Sequence, residues 1–251
     1  MKKILALFLS AVLLLCLVGC YKHDAVLDEA WIYEAKAEVH SLDIRVNAAD
    51  FKIEQGDKFS VESNLKYLSV REESGVLILD DETKRGSDYE DAMLKLTVPR
   101  GAVFDTVDIR TGAAEMTVDT LPAKMLNMKL GAGDVLFEHL YISSEIDIEG
   151  GAGEITVLSG TLSNLDLEMG MGELELTAAL LGDCDLEFGV GESDITLIGT
   201  KDDYTVDIDK GLGSITVDGT KVNDFGSSGS GKNRIDIQGG VGEIHLNFRE
   251  E

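Results

Sequence analysis

Acidic side chains recur at two fixed positions in the second half of this 251-residue chain. Each pair frames a Gly-x-Gly unit: one acid stands four residues before the first glycine, and another stands three residues after it. Clustered carboxylate oxygens are the ligands that hard cations such as Ca²⁺ prefer, and they repel acidic partners. The candidate binding residues are Asp147, Asp166, Asp185, Asp207 and Asp236 in the first set, and Glu154, Glu173, Glu192 and Glu243 in the second.

The elements that position these acids repeat along the chain. The first glycines of the units stand at positions 112, 131, 151, 170, 189, 211 and 240, so the spacings are 19, 20, 19, 19, 22 and 29 residues; the unit at 112 reads Gly-Ala-Ala. A period near twenty residues is typical of a stacked repeat protein. The segment Asn47-Ala48-Ala49, flanked by alternating apolar residues, is a degenerate earlier copy.

Apolar residues alternate with polar ones on both sides of each Gly-x-Gly, which predicts two half-buried strands per repeat. We predict an all-β fold, a β-solenoid or single-stranded β-helix-like stack, with a β-sandwich as the alternative. Each Gly-x-Gly is predicted to be a corner, since glycine tolerates positive φ and close backbone approach. The middle residues are predicted to point inward: Ala113, Ala132, Ala152, Met171, Val190, Leu212 and Val241.

Stacking would turn the two sets of acids into two acidic ladders with a spacing of about 4.8 Å. One interpretation is a solvated face that resists aggregation, and the other is a strip that binds Ca²⁺ at low affinity. The segment Gly150–Gly153 begins like a calcium-binding β-roll motif, but Ile155 replaces the required Asp. No cofactor is predicted beyond this Ca²⁺ hypothesis.

No catalytic residues are predicted. The histidines at 23, 40, 139 and 245 have no Cys or His at metal-ligand spacing, whereas Ser193 and Cys184 lie at positions predicted to face the core. No Gly-x-Gly is followed by a helix or a Lys-Ser/Thr pair, which excludes a phosphate-binding loop. A β-helix enzyme acting on polysaccharides stays as a third alternative, although an acidic face would repel acidic glycans.

The N-terminus predicts a lipid anchor. Lys2 and Lys3 precede an apolar run that ends in Leu17-Val18-Gly19-Cys20, which resembles a bacterial lipoprotein signal. We therefore expect residues 1–19 to be a signal peptide, residues 20–36 a tether lipidated at Cys20, and residues 37–251 a solenoid domain with regular repeats from about 104. This places the protein outside the cytoplasmic membrane and attached to it by lipid.

The chain is strongly acidic, with a formal net charge of −25 at pH 7. Such a charge argues against nucleic acid as a partner, because phosphates would be repelled. Basic protein surfaces and cations remain compatible with it.

Three features together resemble a known family: Leu-Asp-Ile-x-Val at 42–46, Val-Pro at 98–99, and the repeated Gly-x-Gly-Glu/Asp-apolar turn. They are similar to the Toastrack-type, or "putative adhesin", domains of bacterial envelope and stress-response proteins, over about residues 37–248. The resemblance implies a solenoid-like, extracytoplasmic and non-catalytic domain. We therefore expect a binding or scaffold module that contacts another envelope or surface protein, with Ca²⁺ binding by the acidic ladders as the alternative function.

Overall fold

The computed structural model describes residues 27–84, 89–209, 211–222 and 226–250. The predicted signal peptide and Cys20 lie outside these residues. Strands dominate the described part of the chain, which holds one turn of 3-10 helix at Lys201–Asp203. Among these residues, no helix is both long and apolar enough to cross a membrane. The strands are β1 (Leu27–Glu34), β2 (Ser41–Val46), β3 (Asp50–Gly56), β4 (Ser60–Leu65), β5 (Leu68–Glu73), β6 (Val76–Asp81), β7 (Met93–Pro99), β8 (Phe104–Ala113), β9 (Glu115–Ala132), β10 (Val135–Val157), β11 (Gly160–Ser163), β12 (Leu165–Leu181), β13 (Asp183–Ile198), β14 (Tyr204–Asp209), β15 (Leu212–Val217), β16 (Thr220–Val222), β17 (Gly226–Gly229) and β18 (Asn233–Arg249).

The repeats stack in parallel, as the sequence predicts for a solenoid. Strand β8 pairs with β9, β9 with β10, β10 with β12 and β12 with β13, each in parallel and with repeat positions in register. We call each turn of the solenoid that carries one copy of the Gly-x-Gly repeat, regular or degenerate, a rung. The degenerate copy also forms a rung, since β2 and β3 pair in parallel with β8 and β9. The prediction of a β-solenoid is confirmed.

The last two rungs do not follow chain order. Strand β13 pairs with β18, and β18 pairs on its other side with β14 and β15. The rung at 240 therefore lies between the rungs at 189 and 211. Strand β18, the last strand in the sequence, therefore lies directly beside β13, and β14 and β15 lie on the far side of β18.

Antiparallel strands close both ends of the parallel stack. At one end β5 pairs with β6, β4 with β7 and β1 with β4. At the other end β16 pairs with β15 and β17 with β14. The Gly- and Ser-rich composition of residues 226–231 is typical of a flexible loop, but its first four residues, Gly226–Gly229, form β17. The outermost strands at the second end, β16 and β17, are only three and four residues long, and short edge strands offer little backbone to another chain.

The inward positions of the rungs form one continuous core with those of the first strands. Ser193 and Cys184 are both buried there, as predicted. Burial raises the pKa of the Cys184 thiol, which makes it a poor nucleophile at neutral pH. Strand β1 packs Trp31 and Tyr33 against this core and lies within the residues predicted to be a tether.

Candidate functional site: the corner and its acidic columns

The Gly-x-Gly corners stack directly on one another. Gly191 has φ of +154°, and a Cβ built on it would lie 1.7 Å from the carbonyl oxygen of Gly172 on the neighbouring rung. Any side chain there would therefore collide with backbone, so glycine is required at this position of the later rungs, whereas the first two rungs carry Ala49 and Ala114. The corner lets the backbones of neighbouring rungs approach closely.

The middle residue of each corner points outward, so the predicted inward direction is wrong. The inward alternation continues one step further than the sequence suggests, to the residue just before the first glycine. Met169 is buried at that position, and Leu130 and Phe188 pack against the core. The change of face then takes place across the two glycines, and the residue between them faces solvent. The large apolar side chains just before the glycines were the signal that could have revealed this.

An apolar ridge results where these outward residues are large. Register neighbours are Met171 and Val190, Val190 and Val241, and Val241 and Leu212. We call these four residues the corner ridge; their exposed fractions are 59%, 52%, 50% and 74% in that order. The rungs nearer the N-terminal end carry Ala113, Ala132 and Ala152 at this position, so the ridge grows towards the C-terminal end.

The predicted acids lie in two columns beside this ridge. On one side Asp147, Asp166, Asp185, Asp236 and Asp207 are successive register neighbours. On the other side the succession is Glu154, Glu173, Glu192 and Glu243. The predicted stacking is therefore present, while the binding role of these residues stays a prediction.

At the centre of the first column, Asp166 lies between two other carboxylates, Asp147 and Asp185. Burial raises the pKa of the Asp166 carboxyl, and the neighbouring carboxylates Asp147 and Asp185 raise it further. This is the direction expected of a carboxylate stacked between like charges. At the first rungs the repulsion between carboxylates is avoided, because Asn127 takes the place of an acid in this column. Its side-chain amide donates a 2.9 Å hydrogen bond to Asp108.

Two further columns were missed in the sequence. Glu149, Glu168 and Glu187 stand two residues before the glycines and neighbour one another across the rungs. Five residues after the first glycine, Asp194 on β13 neighbours His245 on β18. The second pairing depends on the crossover of the last rungs, which no local pattern reveals.

A groove of about 860 Å³ runs beside the corner. Leu130, Met169 and Phe188 form its apolar part. Its charged lining changes along the stack, from Arg110 and Lys129 at one end to the glutamates of the next rungs. Lys129 pairs with Glu149, where the two charges meet.

No curated protein matches this chain. Solved structures that resemble it include a putative adhesin from Bacteroides fragilis, with 14% identity and a TM-score of 0.49 over 86% of this chain and 95% of the other. A putative cell adhesion protein from Clostridium sporogenes matches with 13% identity and a TM-score of 0.40 over 88% and 99%. A putative lipid binding protein from Parabacteroides distasonis matches with 19% identity and a TM-score of 0.40 over 86% and 96%.

The family is shown by a match over most of the sequence. The family model described as Toastrack DUF4097 matches residues 28–247, which include every rung of the solenoid. The chain therefore belongs to the Toastrack DUF4097 family.

Proposed function

We propose that this protein is a non-catalytic, lipid-anchored binding module that holds another envelope or surface protein against its corner ridge. The corner ridge is the observation that carries the proposal. Four large apolar side chains in adjacent rungs are half exposed or more, at a spacing of about 4.8 Å. A contiguous apolar strip on a soluble surface is a common mark of a protein contact.

The charges beside the ridge define the chemistry of the partner. Glu168 and Glu173 flank Met171, and Glu187 and Glu192 flank Val190. Residues 130–200 contain no Lys or Arg that could neutralise them. The complementary surface has apolar side chains flanked by Lys or Arg, since opposite charges favour encounter and register. A second copy of this chain does not fit, because its net charge of −25 would repel the first.

A synthetic peptide with alternating Leu and Lys residues is a direct probe of this surface, with a Leu and Glu peptide as its charge-reversed control. The full-length protein in detergent micelles should bind the Leu-Lys peptide and not the Leu-Glu peptide, as measured by fluorescence anisotropy. We expect Leu212→Asp to weaken binding about tenfold or more, the loss expected for a buried apolar anchor.

The matched control for the ridge variant is Leu158→Asp, which changes an exposed leucine outside the ridge. Both substitutions add one negative charge, so if charge alone held the Leu-Lys peptide, both variants would bind it more tightly. A loss confined to Leu212→Asp supports the ridge as the contact. Equal affinity in the two variants would contradict it.

The lipid anchor is the second part of the proposal and rests on the sequence Leu17-Val18-Gly19-Cys20. Cys20→Ser should abolish incorporation of labelled fatty acid and release the protein from the membrane fraction. Incorporation that survives the substitution would contradict lipidation at this residue.

Calcium binding by the acidic columns is the second candidate function. The stacking of Asp147, Asp166 and Asp185 favours it, because a cation between these carboxylates would relieve the repulsion that, after burial, raises the pKa of Asp166. Millimolar Ca²⁺ should then raise the melting temperature beyond that in NaCl of equal ionic strength. Equal melting temperatures in the two salts would exclude a specific site.

A further inference from the structure

The crossover of the last rungs creates a cluster of possible metal ligands. Because β18 lies between β13 and β15, His245 neighbours Asp194 on one side and Thr216 on the other. One ligand atom each from Glu192, Asp194 and His245 can be chosen so that all three lie within 4.8 Å of one another. This group combines an imidazole with two carboxylates, whereas the rung before it carries only the carboxylates of Glu173 and Glu175 at these positions.

The imidazole of His245 is held by both of its nitrogens. Its Nδ1 lies 2.7 Å from the hydroxyl oxygen of Thr216. Its Nε2 lies 3.2 Å from a carboxylate oxygen of Glu192 and 3.5 Å from one of Glu243. In the tautomer whose Nδ1–H donates to Thr216, the lone pair of Nε2 faces the same space as the carboxylates. A hydrogen bond to the non-ligating nitrogen is how proteins usually orient a metal-binding histidine.

We infer that Glu192, Asp194 and His245 form a binding site for a divalent transition-metal ion of the zinc class. Imidazole nitrogen favours Zn²⁺, Ni²⁺ and Cu²⁺, whereas Ca²⁺ and Mg²⁺ prefer oxygen ligands alone. Three protein ligands leave a fourth position for water or a partner's side chain. The His245 side chain is 23% exposed, so an ion can reach the site while the ring stays packed. This site shares Glu192 with the second acidic column, but its imidazole ligand and the metal that it selects differ from those of the proposed Ca²⁺ strip.

The competing explanation is an ion pair between a protonated His245 and its acidic neighbours. The titratable groups that face the ring are Glu192 and Asp194 on β13 and Glu243 on β18; Thr216 on β15 does not titrate. A proton and a metal ion compete for the same Nε2 lone pair. A metal site therefore binds the ion at Nε2 in place of that proton, whereas an ion pair alone gives no metal binding at all.

Titration of the full-length protein in micelles with ZnCl₂, followed by calorimetry at pH 7.5, tests the site. We expect one site whose affinity falls at least tenfold in His245→Gln, and about tenfold in Thr216→Val, which removes only the orienting hydroxyl. CaCl₂ should not compete at equal concentration. Cu²⁺ bound at the same site should show nitrogen hyperfine coupling in its paramagnetic resonance spectrum, and His245→Gln should lose it.

The matched control is Glu175→Gln, one rung away. Glu175 is the register neighbour of Asp194 and belongs to a rung that has no imidazole. This variant should keep Zn²⁺ affinity within about threefold of the parent protein, well inside the loss expected for a ligand. Equal losses in Glu175→Gln and His245→Gln would show diffuse attraction to an acidic surface and overturn the proposal, as would the absence of Zn²⁺ binding. Melting curves of each variant establish that it is folded.

Discussion

The first strands, β2 to β7, and the regular rungs differ in how their charged side chains are paired. Among strands β2 to β7, the antiparallel pair β4 and β7 brings opposite charges together, and Lys95 lies 2.6 Å from Glu62. Arg45 lies 2.6 Å from Asp43 on its own strand and 3.8 Å from Asp80 on β6. In the rungs, residues 130–200 hold no Lys or Arg. Antiparallel pairing in the first strands brings acids close to bases, as in Lys95 with Glu62 and Arg71 with Asp80, whereas parallel stacking of one repeat places like charges beside each other. The rungs therefore keep uncompensated charge that a partner or an ion can use.

The largest difference between the two regions should appear at their glycines. Gly191→Ala places a Cβ 1.7 Å from the Gly172 carbonyl oxygen at a φ of +154°. In the first region Gly101 also has positive φ, +79°, but nothing lies within 4 Å of a Cβ there. We expect Gly191→Ala to lower the free energy of unfolding by about 3 kcal/mol or more, because neighbouring backbone must move. Gly101→Ala should cost about 1 kcal/mol, for backbone strain alone.

Denaturant unfolding of both variants measures this difference. A loss in Gly191→Ala no larger than in Gly101→Ala would mean that the rungs can spread apart at the corner, and close stacking would then not explain the repeat.

The second difference lies within the rungs, between the core and the corner. Leu186 is fully buried, and Val190, four residues later, is exposed on the corner ridge. Leu186→Ala should lower the free energy of unfolding by about 2–5 kcal/mol through lost burial and a cavity. Val190→Ala should change it by less than about 0.5 kcal/mol, as for other surface positions. Denaturant unfolding of each variant measures both changes. A loss above about 1.5 kcal/mol in Val190→Ala would mean that the corner residues point inward, as the sequence predicts.

The sequence predicts the stack well because its signal is local and repeated. The twenty-residue period, the alternation around each Gly-x-Gly and the two acidic columns all follow from positions counted within one repeat. The direction of the corner residue was wrong because Thr111, Met169 and Phe188 were not recognised as the last inward positions. At the two glycines the alternation of inward and outward side chains shifts by one residue. The alternation in the flanking strands does not say at which residue this shift occurs.

The order of the last rungs could not be predicted, because a long-range choice decides it. The repeat positions of the rungs at 211 and 240 are nearly equivalent, so either could pair with β13. The structure brings Asp194 to His245 only because β18 takes that place. The metal cluster thus depends on topology, whereas the acidic columns depend on the repeat alone.

The smallest effect concerns pH and has opposite signs in Asp166 and Asp105. The Asp166 carboxyl has a raised pKa, from burial and from Asp147 and Asp185, above an ordinary value of 3.8. The Asp105 carboxyl has a lowered pKa, because Lys124 lies 2.6 Å from it. A raised pKa means that the folded state binds the proton more tightly, so stability improves as the pH falls from neutral towards 3.8. A lowered pKa stabilises the fold above 3.8, and that stability is lost as the pH falls through the folded pKa.

Asp166→Asn should therefore raise the melting temperature at pH 7, by about 2 °C for a contribution below 1 kcal/mol at a largely exposed site. The amide can also donate to the acids beside it, as Asn127 donates to Asp108. Asp105→Asn should lower the melting temperature at pH 7, since it removes the partner of Lys124. The Asp166 difference should shrink towards pH 3, where the carboxyl of the parent protein is protonated like the neutral amide, whereas the Asp105 difference should persist to lower pH because its folded pKa is lowered. Melting curves from pH 3 to 8 in low salt measure them. A fall in melting temperature for Asp166→Asn at pH 7 would mean that its column is already neutralised by bound cations, which repeating the curve after chelation would reveal.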